Sequence, residues 1–180
     1  SGGERVKVLA QEQGEAVSGN SVWYVIDGGR YAGARVHSSL VKRIADPKPN
    51  TTAPEGGPTS TYIVVDRSAF SLTLVKDGKP AFVTYVALGI AGVDTPRGTY
   101  STMGKFVADR MTSRSVRGAT HSYDLPNVPF TQYYKDGGYG IHGTYWHDLF
   151  GTRESQGCIN LTWADSESLF SQTAPRVPPT

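Results

Sequence analysis

Residues 71–88 read SLTLVKDGKPAFVTYVAL, two runs of strand-forming residues on either side of Asp77-Gly78. An Asp-Gly pair between two such runs is a strong signal for a β-hairpin, because both residues accept the positive φ angles of a tight turn. The run YIVVD at residues 62–66 adds a further strand just upstream. This part of the chain is therefore predicted to be β-sheet.

Downstream of the hairpin, residues 89–98 carry Thr95-Pro96-Arg97-Gly98 and are predicted to be a loop that leads to a short strand around Tyr100. The first clear helix signal comes only at Thr162, where Asp165 three residues later completes a start of capping-box type. The helix is predicted to run to Gln172 and to pack on a sheet through Trp163, Leu169 and Phe170. The predicted fold class is mainly β with one short C-terminal helix.

Upstream, residues 46–60 hold four prolines and no aromatic or large aliphatic residue, which indicates a semi-rigid linker. Residues 1–45 before it alternate short strand-like runs with glycine-rich turns, a pattern that predicts a small β-barrel. The chain is thus predicted to contain an N-terminal module at 1–45, a linker at 46–60 and a larger module at 61–180.

Charge and composition exclude several classes. Lys and Arg number 18 against 16 Asp and Glu, and no run of like charges could follow a nucleic-acid backbone. The longest apolar runs are far shorter than the ~20 residues that span a bilayer. With one cysteine, no disulfide can form within the chain. The chain begins at Ser1 without a Met, so it is compatible with an exported protein whose signal peptide has been removed.

Eight of the nineteen aromatic residues lie between Tyr123 and Phe150, in a region that is also rich in glycine. Aromatic walls and a permissive backbone are typical of a cleft. His142 lies within it and Cys158 just beyond. A thiol becomes a nucleophile when an imidazole or oriented amides stabilise its thiolate. Gly157 before Cys158 lets successive backbone amides point at a developing oxyanion. These residues indicate an acyl-transfer site.

The sequence Gly140-Ile141-His142-Gly143-Thr144, followed sixteen residues after the histidine by Cys158 in a Ser-x-Gly-Cys-x-Asn setting, resembles the L,D-transpeptidase (YkuD-type) catalytic domain. The resemblance covers about residues 61–172 and includes Thr95-Pro96-x-Gly98 and Val128-Pro129-Phe130. The N-terminal module is similar to a bacterial SH3-like domain, through its Trp-Tyr-Val-Ile run and the segment from Ser38 to Val41.

The resemblance implies a role for each matching residue. Cys158 would be the nucleophile and His142 the general base, while the amides of Gly157 and Cys158 would form the oxyanion hole with Tyr123 as a further donor. Substrate-side and loop-supporting positions are predicted at six residues: Ser155, Gln156, Asn160, His147, Tyr145 and Trp146. Gln156 departs from the pattern, since such enzymes usually carry histidine there. A glutamine cannot be protonated but still forms hydrogen bonds, so we expect an active or weakened site.

The implied function is peptidoglycan cross-linking, in which Cys158 takes an acyl group from a stem tetrapeptide and releases D-Ala. No metal or organic cofactor is needed, stem peptides are the partners, and the location is secreted or in the cell envelope. Carbapenems would acylate Cys158. Three alternatives stay open: an L,D-carboxypeptidase that uses water as acceptor, a cell-wall binding protein without useful turnover, and a zinc hydrolase with His142, His147 and Cys158 as ligands.

Overall fold

The computed structural model describes residues 6–27, 31–42, 44–53, 60–115 and 122–175. Near the N-terminus, strands β1 (Lys7–Val17), β2 (Asn20–Asp27) and β3 (Arg35–His37) form an antiparallel sheet in that order. Ser18 and Gly19 have positive φ angles of 53° and 82°, as the tight turn between β1 and β2 requires. The strands expected here are present, and their closure into an SH3-like barrel stays a prediction.

A second antiparallel sheet contains β4 (Thr61–Asp66), β5 (Ser71–Lys76) and β6 (Lys79–Tyr85), with β5 in the middle. Asp77 and Gly78 join β5 to β6 with φ angles of 49° and 73°, which confirms the predicted hairpin. Side chains alternate between the two faces of a strand, so Leu72 and Leu74 point one way while Ser71, Thr73 and Val75 point the other. All five side chains are almost fully buried.

Residues 45–51 cross the Thr73 face of this sheet, and we call this segment the strap. The Asn50 amide donates to Thr73 Oγ1 at 3.0 Å on the central strand. The hydroxyl groups of Tyr62 on β4 and Tyr85 on β6 donate to strap carbonyls at 2.9 and 3.3 Å. Pro47 is buried. This segment, which runs from the last residue of the predicted N-terminal module into the predicted linker, therefore contacts all three strands of the sheet.

The remaining strands are, in chain order, β7 (Leu88–Gly89), β8 (Gly104–Thr112), β9 (Asp124–Lys135), β10 (Tyr139–Gly143), β11 (Arg153–Ser155) and β12 (Ile159–Leu161). Four of them form a sheet in the order β12-β10-β9-β8, and β7 pairs with β11. The β10–β12 and β7–β11 pairs are parallel, whereas β9 is antiparallel to both of its neighbours.

Helix α1 (Trp163–Gln172) follows β12 directly. The Thr162 hydroxyl accepts a hydrogen bond from the Asp165 amide at 3.0 Å, which confirms the predicted N-cap. Leu169 joins a core of eight buried residues: Leu72, Leu74, Val86, Leu88, Ile141, Ile159, Leu161 and Leu169. The mainly β fold with a short C-terminal helix is confirmed. Within the described residues, no helix is long and apolar enough to cross a membrane.

The strand predicted around Tyr100 is wrong, because β8 begins only at Gly104. Gly98 has a φ of 136°, and the Tyr100 hydroxyl donates to the Arg97 carbonyl at 2.6 Å, so the chain turns back on itself at this point. The long strand β9 was not predicted, since two prolines interrupt its sequence. Positive φ angles at Asn127 and Phe130 mark irregularities on either side of Pro129.

Candidate active site

The parallel pair of β10 and β12 carries the candidate catalytic residues. In its register Ile141 lies opposite Ile159, and His142 lies opposite Asn160. The two isoleucines face the core. Because side chains alternate along a strand, His142 and Asn160 share the other face, and Cys158, two residues before Asn160, points to that face as well. The register thus brings Cys158 within two residues of the strand position that pairs with His142.

The turn that delivers Cys158 is held by Ser155 and Gly157. Ser155 Oγ donates to the Cys158 carbonyl at 2.5 Å and accepts the Gly157 amide at 3.2 Å. Gly157 has a φ of 103°, and a Cβ built there would lie 2.7 Å from Cε1 of Tyr139. Only glycine fits this turn without strain. Gln156, between the two, is partly exposed.

The Cys158 thiol is buried and uncharged at neutral pH. Its Sγ donates to the Gly138 carbonyl at 3.5 Å. Burial raises the pKa of the thiol to about 11, and a backbone hydrogen bond from Gly140 opposes this rise. Desolvation disfavours a thiolate, and the single amide compensates only in part. Cys158 is therefore a buried, neutral thiol in the absence of substrate.

His142 is also buried and uncharged. Its Nδ1 lies 2.9 Å from the Gly143 carbonyl, and its Nε2 lies 3.1 Å from Asn160 Nδ2. Burial lowers the pKa of the imidazole to about 4; the Gly143 carbonyl opposes this effect, and His147 adds to it. The imidazole is therefore free of charge, and so able to accept a proton, at any pH well above 4.

His147 continues this line of contacts. Its Nε2 lies 3.1 Å from Asn160 Oδ1, and its Nδ1 accepts the Leu149 amide at 3.2 Å. Asn160 thus stands between the two imidazoles. Within the described ranges, no group of three or more His, Cys, Asp and Glu side chains could hold a metal ion. The two imidazoles and Cys158, expected as ligands under the zinc alternative, do not form a ligand set.

Aromatic residues lie beside His142 and near Cys158. The Trp146 ring lies 5.8 Å from the His142 ring, while the Tyr145 hydroxyl donates to the Pro126 carbonyl at 2.7 Å. Burial, and the charge that Cys158 would carry as a thiolate, raise the pKa of Tyr123 to about 12. Its hydroxyl therefore keeps its proton and is available as a hydrogen-bond donor near the sulfur.

Of the ten residues predicted for the site, His142, Asn160 and His147 form one line of hydrogen bonds, and Ser155 and Gly157 shape the turn before Cys158. Tyr145 is bound to the Pro126 carbonyl. The sequence leaves open whether Tyr133 and Tyr134 on β9 belong to the core or to the cleft. Burial raises the pKa of both phenols, the hydrogen bond to Asp109 raises that of Tyr133 further, and the nearby Cys158 contributes to both. Their place in the aromatic stretch from Tyr123 to Phe150 was the available signal. The catalytic roles themselves stay predictions.

The model of the YkuD L,D-transpeptidase catalytic domain matches residues 60–178. No protein of curated function matches the chain.

Solved structures resemble the chain over 63–66% of its length. A mutant L,D-transpeptidase from Enterococcus faecium is 27% identical with a TM-score of 0.58, over 66% of this chain and 48% of that one. An L,D-transpeptidase from Mycobacterium smegmatis is 24% identical with a TM-score of 0.56, over 63% of this chain and 54% of that one.

L,D-transpeptidase 3 from Mycobacterium tuberculosis, with a faropenem-derived adduct, is 23% identical with a TM-score of 0.57, over 63% of this chain and 56% of that one. At 24% and 23% identity, the two mycobacterial structures show a similar fold and nothing further about this chain. The chain spans about half the length of the solved structures that it matches.

Proposed function

The chain belongs to the YkuD family of L,D-transpeptidase catalytic domains, and on this basis we propose that it cross-links peptidoglycan stem peptides by cysteine acyl transfer. The observation that supports the proposal is the parallel pairing of β10 and β12, in which His142 lies opposite Asn160, two residues after Cys158. A nucleophile and a base supplied by neighbouring segments are the minimum that covalent acyl transfer requires.

In the first half-reaction, His142 takes the thiol proton while Cys158 Sγ bonds to the carbonyl carbon between the diamino acid and the terminal D-Ala. The Cys158 amide and the Tyr123 hydroxyl stabilise the oxyanion, and the Gly157 amide joins them once it leaves Ser155 Oγ. The C–N bond then breaks, and the D-Ala amine leaves with the proton that His142 had taken. A thioester remains on Cys158.

In the second half-reaction, an acceptor amine from another stem attacks the thioester. The C–S bond breaks, the new amide forms the cross-link, and the amine's surplus proton passes through His142 back to the sulfur. If water takes the place of the amine, the same steps give L,D-carboxypeptidase activity.

The charges of Cys158 and His142 before substrate binds suit a nucleophile that is unreactive until then. With a thiol pKa of about 11 and an imidazole pKa of about 4, the two groups stay neutral across the physiological range. The thiol then loses its proton only as its sulfur bonds to a carbonyl held in the oxyanion hole, where the developing charge is stabilised.

Action on stem peptides implies a location outside the cytoplasm. An SH3-like N-terminal module would bind or orient the wall.

The test is intact-mass measurement after incubation with a carbapenem, on wild type, Cys158→Ala and His142→Ala. The expected result is one adduct on wild type, none on Cys158→Ala and slower formation on His142→Ala. A stem tetrapeptide should then release D-Ala, with cross-linked product when an amine acceptor is present. A folded wild type that takes up no carbapenem would overturn the proposal. If stem-peptide binding also survived in Cys158→Ala, a cell-wall binding protein would replace it.

A further inference from the structure

Four groups form an unbroken line of hydrogen bonds behind the nucleophile: the Leu149 amide, His147, Asn160 and His142. The successive distances are 3.2, 3.1 and 3.1 Å, and the line ends at the Gly143 carbonyl, 2.9 Å from His142. His142, His147 and Asn160 are all buried, with exposed fractions of 2%, 7% and 2%. Water therefore does not compete for these bonds, and each donor must meet an acceptor.

The two ends of the line determine every proton in between. A backbone amide can only donate, so His147 Nδ1 accepts from Leu149, and neutral His147 carries its proton on Nε2. That N–H must meet the carbonyl oxygen of Asn160, which leaves the amide nitrogen of Asn160 to donate to His142 Nε2. His142 then carries its proton on Nδ1, where the Gly143 carbonyl accepts it. Only this arrangement of protons lets the Leu149 amide donate at one end and the Gly143 carbonyl accept at the other.

We propose that His147 is a positioning residue that fixes the orientation of the Asn160 amide, so that its N–H, and not its carbonyl oxygen, meets Nε2 of His142. The Gly143 carbonyl by itself holds the proton of His142 on Nδ1. This inference rests on the proposed function for its meaning in the reaction but not for its geometry. His147 touches neither Cys158 nor a reacting atom in this arrangement. Its effect on the reaction is to keep a second proton off Nε2 until the thiol supplies one.

The same line disfavours a protonated His142 at rest. A proton on Nε2 would face the N–H of Asn160, and turning the Asn160 amide over would bring its N–H against the N–H of His147. Burial of the ring lowers the pKa of His142 in the same direction. A proton taken from the thiol is therefore held weakly and is readily passed on to the leaving amine. The Asn160 amide must give up Nε2 as the thiol proton arrives.

Other titratable groups nearby do not replace His147 in this role. Cys158, two residues before Asn160, is neutral because burial raises its pKa. On β9, Tyr133 donates to Asp109 Oδ2, and burial raises the pKa of Tyr134. On α1, Asp165 accepts from Thr84 on β6. Asp148 adjoins His147 in the chain and forms interactions of its own.

The first experiment reads the tautomers directly, by long-range ¹H–¹⁵N NMR of the histidine rings at pH 7 in the full chain. We expect His142 to be protonated at Nδ1 and His147 at Nε2, with His147→Gln and His142→Gln used to assign the signals. The opposite tautomer at either residue would overturn the proposal.

The second experiment changes the central amide. Asn160→Asp keeps the shape but has no N–H, so both imidazoles must turn an N–H towards its carboxylate. His142 should then be protonated at Nε2, and its pKa should rise by at least about one pH unit, a tenfold change in protonated fraction. His147→Gln keeps an N–H for Asn160 Oδ1 and should keep the wild-type pKa of His142. His147→Phe has no N–H there, so the Asn160 amide can turn its oxygen to Nε2 of His142, and the pKa of His142 should rise by about one pH unit.

An unchanged pKa of His142 in His147→Phe, or in Asn160→Asp, would overturn the proposal. The spectra require no substrate, so the proposed function and the positioning role of His147 can fail separately. The expected tautomers and pKa shifts without carbapenem uptake would support the positioning role and contradict the proposed function. Carbapenem uptake without those tautomers and shifts would support the proposed function and contradict the positioning role.

Discussion

The buried thiol of Cys158 determines how the residue should react. Because burial raises its pKa to about 11, the thiolate fraction should grow about tenfold for each pH unit up to that value. We expect the rate of alkylation by iodoacetamide to rise throughout pH 7 to 10 without levelling off. Mass spectrometry of timed samples measures it. The urea-unfolded chain is the control, since its exposed thiol should level off near pH 9. A native rate that levels off below pH 9 would contradict this prediction.

Gly157 offers a test of the turn before the nucleophile. In Gly157→Ala, the new Cβ would lie 2.7 Å from the Tyr139 ring and on a backbone with φ of 103°. We expect this variant to lose carbapenem acylation by at least about tenfold and to lose about 1–3 kcal/mol of unfolding free energy. Intact mass and urea denaturation measure the two effects.

The matched control is Gly78→Ala, at the β5–β6 turn, where φ is 73° and no atom lies within 4 Å of the added Cβ. It should lose about 1 kcal/mol of stability and keep wild-type acylation. Equal acylation rates in the two variants would show that the shape of the Gly157 turn is not required.

For individual residues, the sequence predicted which side chains belong to the candidate site but not the hydrogen bonds that connect them. Cys158 and His142 could be found because their chemistry and spacing are read directly from the chain. The bridge from His147 through Asn160 could not, because it depends on the parallel register of β10 and β12, which no local pattern specifies. The Ser155 hydrogen bonds across the turn likewise depend on the backbone conformation at Gly157.

At the scale of elements, α1 is attached to the sheet by a buried lysine. Lys105 Nζ on β8 donates to the carbonyls of Phe170 and Thr173 at 2.6 and 2.8 Å, and to Thr173 Oγ1 at 3.2 Å. The last carbonyls of a helix have no partners within the helix, and a cation suits the negative end of its dipole. Lys105 therefore caps the C-terminal end of α1 from a neighbouring strand.

Lys105→Met should lower the unfolding free energy by about 2–4 kcal/mol, because it leaves these buried carbonyls without donors. Urea denaturation followed by circular dichroism measures it. Lys79→Met, at the exposed start of β6, is the control and should change stability by less than about 0.5 kcal/mol. Equal stability of the two variants would mean that water replaces the lysine.

Elements with strong local signals were predicted correctly. The Asp77-Gly78 turn and the Thr162 N-cap each depend on residues within a few positions of one another. Strand β9 was missed because Pro126 and Pro129 weaken its local signal, and pairing with β8 and β10 on both sides compensates. The strand expected at Tyr100 failed for the opposite reason, since a contact with Arg97 overrides its strand-forming residue type.

For the whole molecule, the strap changes the boundary that was predicted for the larger, C-terminal module. The linker was predicted from composition alone, and composition does not show where a segment lies. Residues 45–51 form hydrogen bonds with all three strands of the β4–β6 sheet, over a face where Ser71, Thr73 and Val75 are at most 1% exposed. We infer that the folding unit begins near residue 44 and not at residue 61.

The last prediction tests this boundary with two fragments, 44–180 and 60–180. Without the strap, the Thr73 face loses its hydrogen-bond partners and its cover, so fragment 60–180 should be less stable by on the order of 2 kcal/mol. Urea denaturation of both fragments measures the difference. Thr73→Val supplies the control within each: it removes the acceptor for the Asn50 amide and should cost about 1 kcal/mol in 44–180. In 60–180 the same substitution should cost nothing, and an equal cost in both fragments would show that the strap does not stabilise the sheet.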